Sequence, residues 1–477
     1  MDQLEVEFCA DTGGTFRMTW GQQDFWRRKV RRYGDASWHF NIPVVLDLPG
    51  DAGPADHVAV GAALRRLVER NQSLRAHFAE SPDGPLQQIA RSGTFTLRLH
   101  QSTLETSRAD AAELAAELAA VHFNHETGWG IRIAVVCAGQ LPRHVVFAIS
   151  HQVADGGGVQ VLIDDFFDLL RARPDSGKPK GRWQPIDQVL REESTRGARR
   201  NQAALGYWRK QLKRIPPSMF AFPGAPAGQP RFRRLRLDSR ALAVAAARLA
   251  VGCQVSVPNT LLAGTALGLA ALSGQTTCVL RLVLSNRYDD DARSMVATAS
   301  QDGLLVVDYL ADTIAGAVRA THRAARTAAF YGSYDPVAVD ELIGAVAVER
   351  GVHFDLNALY NDLSAFLDGP DGAGPARAAG DRVPEADARK LLKESVVVPE
   401  STWDGQSCKM YLAAEPGTDI CSLHLLGDTA YLPLPAMQAL LLGIETIVFE
   451  AAYRDIAVAD VPALTGLSPA VVMPDAG

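Results

Sequence analysis

The feature that most constrains how this chain can fold runs from His144 to Arg171, HVVFAISHQVADGGGVQVLIDDFFDLLR. Val145 to Ile149 is an unbroken apolar run of strand length, which predicts a strand buried on both faces. It ends in Ser150-His151, with Asp155 four residues after the histidine, then Gly156, Gly157 and Gly158, and then an amphipathic helical pattern. A buried strand that ends in an imidazole delivers that ring to a fixed place. Three glycines before the helix allow a sharp turn or a close approach of backbone to ligand. The pattern predicts an α/β fold with a mounted catalytic base.

The 477 residues are too many for one ordinary core and predict two lobes, residues 1–178 and 179–477. Between them ARPDSGKPKGRWQP, from Ala172, has the Pro, Gly and Lys content of a linker. A net charge of -6 makes nucleic acid and anionic membrane poor default partners. The six cysteines show no CxxC or Cys/His spacing, so a reduced, cytoplasmic enzyme without a metal site is expected. Leu249 to Leu280 lacks charge but contains Gln254, Pro258, Asn259 and Gln275, which favours a buried helix over a membrane span.

Periodicity places other elements. TWGQQDFW predicts a helix capped by Thr19, with Trp20, Gln23 and Phe25/Trp26 inward, followed by the solvated charges Arg27, Arg28, Lys29, Arg31 and Arg32. Trp38 to Leu48 alternates as a strand, Ala55 to Glu69 has a helical period, and Asp110 to Phe123 is an alanine-rich helix. Ile131 to Cys137 and His144 to Ser150 form a hairpin joined by AGQLPR. In the second lobe, strands are expected at Phe232 to Leu237, Cys278 to Ser285, Met410 to Ala413 and Ile420 to Leu426, with a closing helix from Pro435. The stretch from Gly369 to Asp387 has the composition of a mobile loop.

Several segments, in order along the chain, resemble the condensation domains of nonribosomal peptide synthetases, within the chloramphenicol acetyltransferase-like superfamily. SHQVADG, Ser150 to Gly156, is similar to the family motif HHxxxDG; TWGQQDFW, Thr19 to Trp26, to SxAQxxLW; and RNQSLRAHF, Arg70 to Phe78, to RHExLRTxF. GYWRKQL from Gly206 is similar to a YWxxxL helix, Ser285-Asn286-Arg287 to a strand-ending Gly-Arg, and FDLNALYND to a segment ending in an Asn, here Asn361. HxxxDG alone is a weak signal, and its combination with the Arg70 to Phe78 match is a strong one. The sequence departs from the family in three places. Ser150 replaces the first histidine, Gly157-Gly158 replaces Trp-Ser and is expected to open space beside the base, and the run after Arg287 is poorly kept in RSMVATASQDG.

The resemblance implies two acetyltransferase-like α/β lobes in a V-shaped pseudo-dimer, with the active site in an interlobe tunnel. His151 would be the general base for acyl transfer from a thioester. Asp155 would brace the loop by pairing with Arg287, with Ser150 beside them; on the residues alone a turn-capping Asp is the alternative. Gly156 and Gly157 would offer N–H groups to an oxyanion, and Asn361 is a candidate substrate contact. Arg70 and Arg75 read as scaffold residues. The expected activity is that of a stand-alone condensation enzyme in natural-product biosynthesis. It would use an acyl or peptidyl carrier protein in trans, with the acyl group on phosphopantetheine, and an amine or alcohol nucleophile; no bound cofactor and no metal are implied. A coenzyme A-dependent acyltransferase and a catalytically silent recruitment module are the alternatives.

Overall fold

A computed structural model provides the structure and describes residues 2–49, 57–171, 182–220, 227–309, 312–364 and 383–469. Most of the expected linker after Arg171 and of the expected loop from Gly369 lies outside the described residues. The chain divides into two compact units: Met1–Asn201 with Ser285–Gln301, and Gln202–Leu284 with Asp302–Gly477. The division is therefore not a single break at residue 178. The segment Ser285–Gln301 returns to the first unit because Arg287 is buried there, against Asp155.

The first unit is built on a five-stranded sheet of order β1-β6-β7-β8-β3. Its strands are β1 (Asp2–Cys9), β3 (Ile42–Asp47), β6 (Ser92–Ser102), β7 (Ile131–Ala138) and β8 (Leu141–Ile149). A smaller sheet joins β2 (Gly14–Arg17), β4 (Ala76–Ala79) and β5 (Leu86–Ile89). Strand β8 lies between β7 and β3, antiparallel to both. Its side chains alternate between two cores. Val145, Phe147 and Ile149 pack in one cluster with Leu64, Leu67, Leu162 and Phe166. Val146 and Ala148 pack in another with Ala111, Leu114 and Leu118 of helix Ser107–Ala119. Burial on both faces explains the unbroken apolar run. The hairpin is tighter than its sequence suggests, since the strands extend into AGQLPR and turn at Gly139, whose φ of 63° favours glycine.

Two expectations change here. The helix after the histidine, α4 in the numbering that follows, spans Gly156–Arg171, so the three glycines form its first turn rather than a turn before it. None of them has a positive φ. Helix α1 (Trp20–Phe25) has the expected Thr19 cap, with the Thr19 N–H donating in return to Oε1 of Gln22, and continues as a π-turn over Trp26–Val30. A 3-10 segment, Gly34–Phe40, follows, so β3 starts at Ile42 and not at Trp38. The apolar alternation from Trp38 serves ring packing instead, with Phe40 edge-on to both Phe25 and Tyr33. Helices α2 (His57–Arg70) and α3 (Ser107–Ala119) complete the unit's main layers.

The second unit has a seven-stranded sheet of order β11-β10-β12-β14-β15-β9-β13. These strands are β9 (Phe232–Ser239), β10 (Thr277–Leu284), β11 (Gln301–Asp308), β12 (Ala358–Asp362), β13 (Val396–Trp403), β14 (Met410–Pro416) and β15 (Cys421–Asp428). Its core gathers residues of helices α5 (Arg240–Cys253), α6 (Val257–Ser273) and α7 (Leu434–Tyr453). The uncharged stretch from Leu249 thus resolves into the end of α5, then α6 at 101° to it, then β10. Helix α7 is apolar and long enough to cross a membrane, yet it packs closely on α6. A Cβ on Gly264 would come within 2.8 Å of Val448, and one on Gly268 within 3.1 Å of Leu440.

Gly21 of α1 lies against the returning segment, where an added Cβ would be 2.5 Å from the Thr298 carbonyl oxygen and 2.8 Å from the Ala299 Cα. The obstacle is backbone, which cannot rotate aside. Gly21→Ala is expected to destabilise the protein by about 1–3 kcal/mol. Denaturant unfolding checks this, and an unchanged midpoint would refute it.

Candidate functional site

The site grows from the end of β8. Beyond Ile149 the chain makes a tight turn closed by the N–H groups of Val153 and Ala154 donating to the Ser150 carbonyl. Ser150 has work that the sequence did not disclose. Its Oγ accepts from the Gln152 N–H at 3.2 Å and lies 3.3 Å from Nε2 of His125. His125 is buried among Trp26, Phe78 and Phe123. Burial, helped by His122 and Arg132, pushes its pKa down to about 4, so it is a neutral strut behind the turn. No motif points to His125, because its contact with Ser150 spans 25 residues and depends on the hairpin register.

Asp155 caps α4, with Oδ1 accepting from the Gly158 N–H at 2.8 Å. The same oxygen accepts from Nη2 of Arg287 at 2.7 Å. Oδ2 accepts from the N–H groups of Ala299 and Ser300, both at 2.9 Å. Arg287 also donates to the carbonyls of Ala292 (2.6 Å), Met295 (2.7 Å) and Ala297 (2.7 Å). Burial by itself would raise the Asp155 pKa. The Arg287 guanidinium and the N–H groups of Gly158 and Ala299 outweigh it and hold the carboxyl below its ordinary value. Arg287 enters this position from Asn286, which has a left-handed φ of 54° and donates from its side chain to the Ala299 carbonyl at 3.2 Å. The glycine of the family pattern and this asparagine both tolerate that conformation.

Gly157 and Gly158 do not open space beside the base. A Cβ at Gly157 would lie 2.7 Å from Nε of Arg287, and one at Gly158 would lie 2.8 Å from the Ala297 carbonyl oxygen. The room left by the missing side chains is filled by Arg287 and the segment it anchors. The N–H groups of Gly156 and Gly157, first in α4, have no hydrogen-bond partner among the described residues.

His151 is half-buried, and its carbonyl accepts a short bond from the Thr298 hydroxyl. Thr298 in turn accepts at its own carbonyl from the Thr19 hydroxyl, at 3.4 Å. One residue thus ties the histidine turn to α1. The His151 imidazole stacks on Phe25 with ring centroids 4.6 Å apart and planes 8° from parallel. Its Nδ1 is buried with no partner on another of the described residues, and the residue's own backbone carbonyl favours a proton there. Burial lowers the His151 pKa below its ordinary 6.5; Asp155 opposes the shift and Lys29 adds to it. The ring is therefore neutral near pH 7, with Nε2 left as the basic nitrogen.

His151, Ser150, Asp155, Gly156, Gly157 and Arg287 are all in the first unit. Asn361 is in the second, on β12, where its side-chain amide donates to the Tyr411 hydroxyl at 2.9 Å. Arg70 pairs with the buried Asp165, and Arg75 donates to the Thr12 carbonyl at 2.7 Å and to that of Ala90, so both arginines join elements of the first unit. Among the described residues, no cluster of His, Cys, Asp or Glu could hold a metal ion.

A family model described as the condensation domain matches residues 22–298, a span that includes Phe25, His151, Asp155 and Arg287. A plipastatin synthase polypeptide of Bacillus subtilis (strain 168) is 27% identical over 186 residues, covering 39% of this chain and 5% of that protein. Chondramide synthase cmdD of Chondromyces crocatus is 28% identical over 214 residues, 41% of this chain and 5% of its own. The chain spans about a twentieth of the length of these relatives. Among solved structures, the X-domain from teicoplanin biosynthesis aligns with a TM-score of 0.68 at 17% identity, covering 93% of this chain and 96% of that one. The SgcC5 protein from Streptomyces globisporus aligns with a TM-score of 0.67 at 17% identity, covering 92% and 99%. Both likenesses show the mixed α/β fold.

Replacing Asp155 by Ala strands the Arg287 charge and frees three N–H groups, and is expected to cost about 3–5 kcal/mol in denaturant unfolding. Because the folded carboxyl titrates below its ordinary 3.8, its contribution is complete above that value and is lost as pH falls through the folded pKa. Asp155→Ala should therefore flatten the acid side of the stability profile. Gly157→Ala should also destabilise, by about 1–3 kcal/mol, because the new methyl displaces Arg287. An unperturbed melting temperature for Gly157→Ala would contradict that placement.

Proposed function

The chain belongs to the condensation domain family, and on that premise we propose that it transfers an acyl or aminoacyl group from a carrier-protein phosphopantetheine thioester to an amine or alcohol, with His151 as the base. The product is an amide or an ester in natural-product biosynthesis. The observation that carries this reading is the state of His151: a neutral ring at the end of a buried strand, fixed by a stacked aromatic, with Nε2 free to take a proton.

The chemistry balances with these residues alone. Nε2 of His151 takes the proton from the amine or hydroxyl as that group attacks the thioester carbonyl. The unpartnered N–H groups of Gly156 and Gly157, at the positive end of the sixteen-residue α4, are the donors available to the oxyanion that forms. Collapse of the intermediate breaks the C–S bond, and the departing thiolate takes the proton back from the imidazolium. Asp155 takes no proton in this scheme. All four of its bonds are committed to the Gly158 N–H, Arg287 and the 299–300 backbone, so it holds the turn and does not relay charge.

The test supplies an acyl carrier thioester, as a separate protein, with candidate nucleophiles and follows product mass. The wild-type chain should form product, and His151→Ala should lower the rate by about 10²–10⁴-fold. If both proteins were equally inactive with every thioester yet bound the carrier equally well, the recruitment alternative would replace this reading. Turnover of free coenzyme A thioesters at the same rate would replace the carrier with coenzyme A. With an active pair, kcat/KM should rise with pH along a limb set below the ordinary imidazole value of 6.5, because burial disfavours the imidazolium. A limb above that value would contradict His151 as a desolvated base.

A further inference from the structure

The imidazole of a general base is ordinarily held by a hydrogen bond to the ring nitrogen that does not react. No other described residue gives His151 that support, since its buried Nδ1 meets only its own backbone carbonyl and Asp155 is turned toward Arg287. The Thr298 hydroxyl fixes only the His151 backbone. What faces the ring itself is Phe25, parallel to within 8° at 4.6 Å. Rotation of the imidazole about its χ2 would break this stack, so the stack sets the plane in which Nε2 lies.

Phe25 is itself well held. It is the last residue of α1, whose N-terminus is closed by the Thr19–Gln22 capping box and tied through Thr19 to Thr298. The π-turn starts at the next residue, with the Arg31 N–H donating to the Trp26 carbonyl, and Trp26 is pinned by its indole N–H to Glu80 at 2.6 Å. Such turns recur at functional sites because they re-aim the side chains around them. Phe25 also makes a T-shaped contact with Phe40, over whose ring Lys29 lies 4.9 Å from the centroid. The motif that this segment resembles has leucine at the position of Phe25, and leucine has no plane to match to an imidazole.

We propose that Phe25 is a positioning residue for His151: its ring holds the plane of the imidazole, which no other described side chain does through Nδ1, and so fixes the direction of Nε2. The kinetic consequence rests on the acyl-transfer reading, whereas the orientation of the ring does not. Phe25→Leu removes the plane at similar bulk, and Phe25→Tyr keeps it.

The full-length protein is made with isotope-labelled histidine, and the His151 ring resonances are assigned by their loss in His151→Gln. In wild type and Phe25→Tyr these resonances should carry the upfield displacement of a proton over an aromatic face, and in Phe25→Leu they should lose it. In the carrier thioester assay, kcat of Phe25→Leu should fall about tenfold with KM within about twofold, and Phe25→Tyr should restore it. Unchanged His151 resonances and kcat in Phe25→Leu would overturn the proposal. So would an equal loss in Phe25→Tyr, or a loss confined to KM. If wild type turned over no thioester, the acyl-transfer reading would fail, and the resonances alone would decide whether Phe25 orients the ring.

Discussion

The carboxylate of Asp155 accepts hydrogen bonds from three separate places: the first turn of α4, the guanidinium of Arg287 and the backbone at Ala299 and Ser300. Each is a bond to a charged acceptor in a water-poor setting, where such bonds are about twice as strong as neutral ones. Burial opposes its ionisation, and the guanidinium and N–H groups outweigh that cost. What it supplies is a fixed relation between the strand that ends in His151, the helix that follows, and a segment that returns from more than 130 residues later. That anchor, with Val296 in the first unit's core and the Ser73 hydroxyl on the Val296 carbonyl, holds Ser285–Gln301 in the first unit.

The local departures from the family pattern make sense around this anchor. Glycine at 157 and 158 is required by the closeness of Arg287 and the Ala297 carbonyl, so bulk there would compete with the guanidinium and not with a substrate. Asn286 bends the chain through a left-handed residue and bonds to the same returning segment. Ser150 replaces an imidazole, yet an imidazole is still present behind the turn, supplied by His125 from another loop. The turn is thus held at three points: Ser150 by His125, the His151 carbonyl by Thr298, and Asp155 by Arg287.

His151 is left with a backbone fixed on every side and a ring fixed on one. Desolvation keeps the ring neutral, the opposing field of Asp155 keeps the shift in check, and Phe25 gives it a plane. The catalytic reading needs no more from the first unit than this orientation and the two unpartnered N–H groups at the start of α4. Asn361, in the second unit, is committed to Tyr411, so any role toward a nucleophile would have to use its amide oxygen or displace that bond.

Much of this was legible in the sequence where the cause is local. An unbroken apolar run is long enough for a strand and nothing else between those turns, which is why β8 and the place of His151 at its end could be read directly. Thr19 before a helical period, with a glutamine three residues on, states its own cap. Trp38 to Phe40 misled because apolar alternation marks a strand and a set of packed rings alike, and only the position of Phe25 separates them. The Asp155–Arg287 contact rested on resemblance, since no periodicity links residues 132 apart. The sequence by itself determined most of the elements, the mounted histidine and the family. Tertiary structure alone decided what the glycines accommodate, which imidazole stands behind Ser150 and which ring faces His151, because those contacts join segments whose approach is set by the packing of whole sheets and helices.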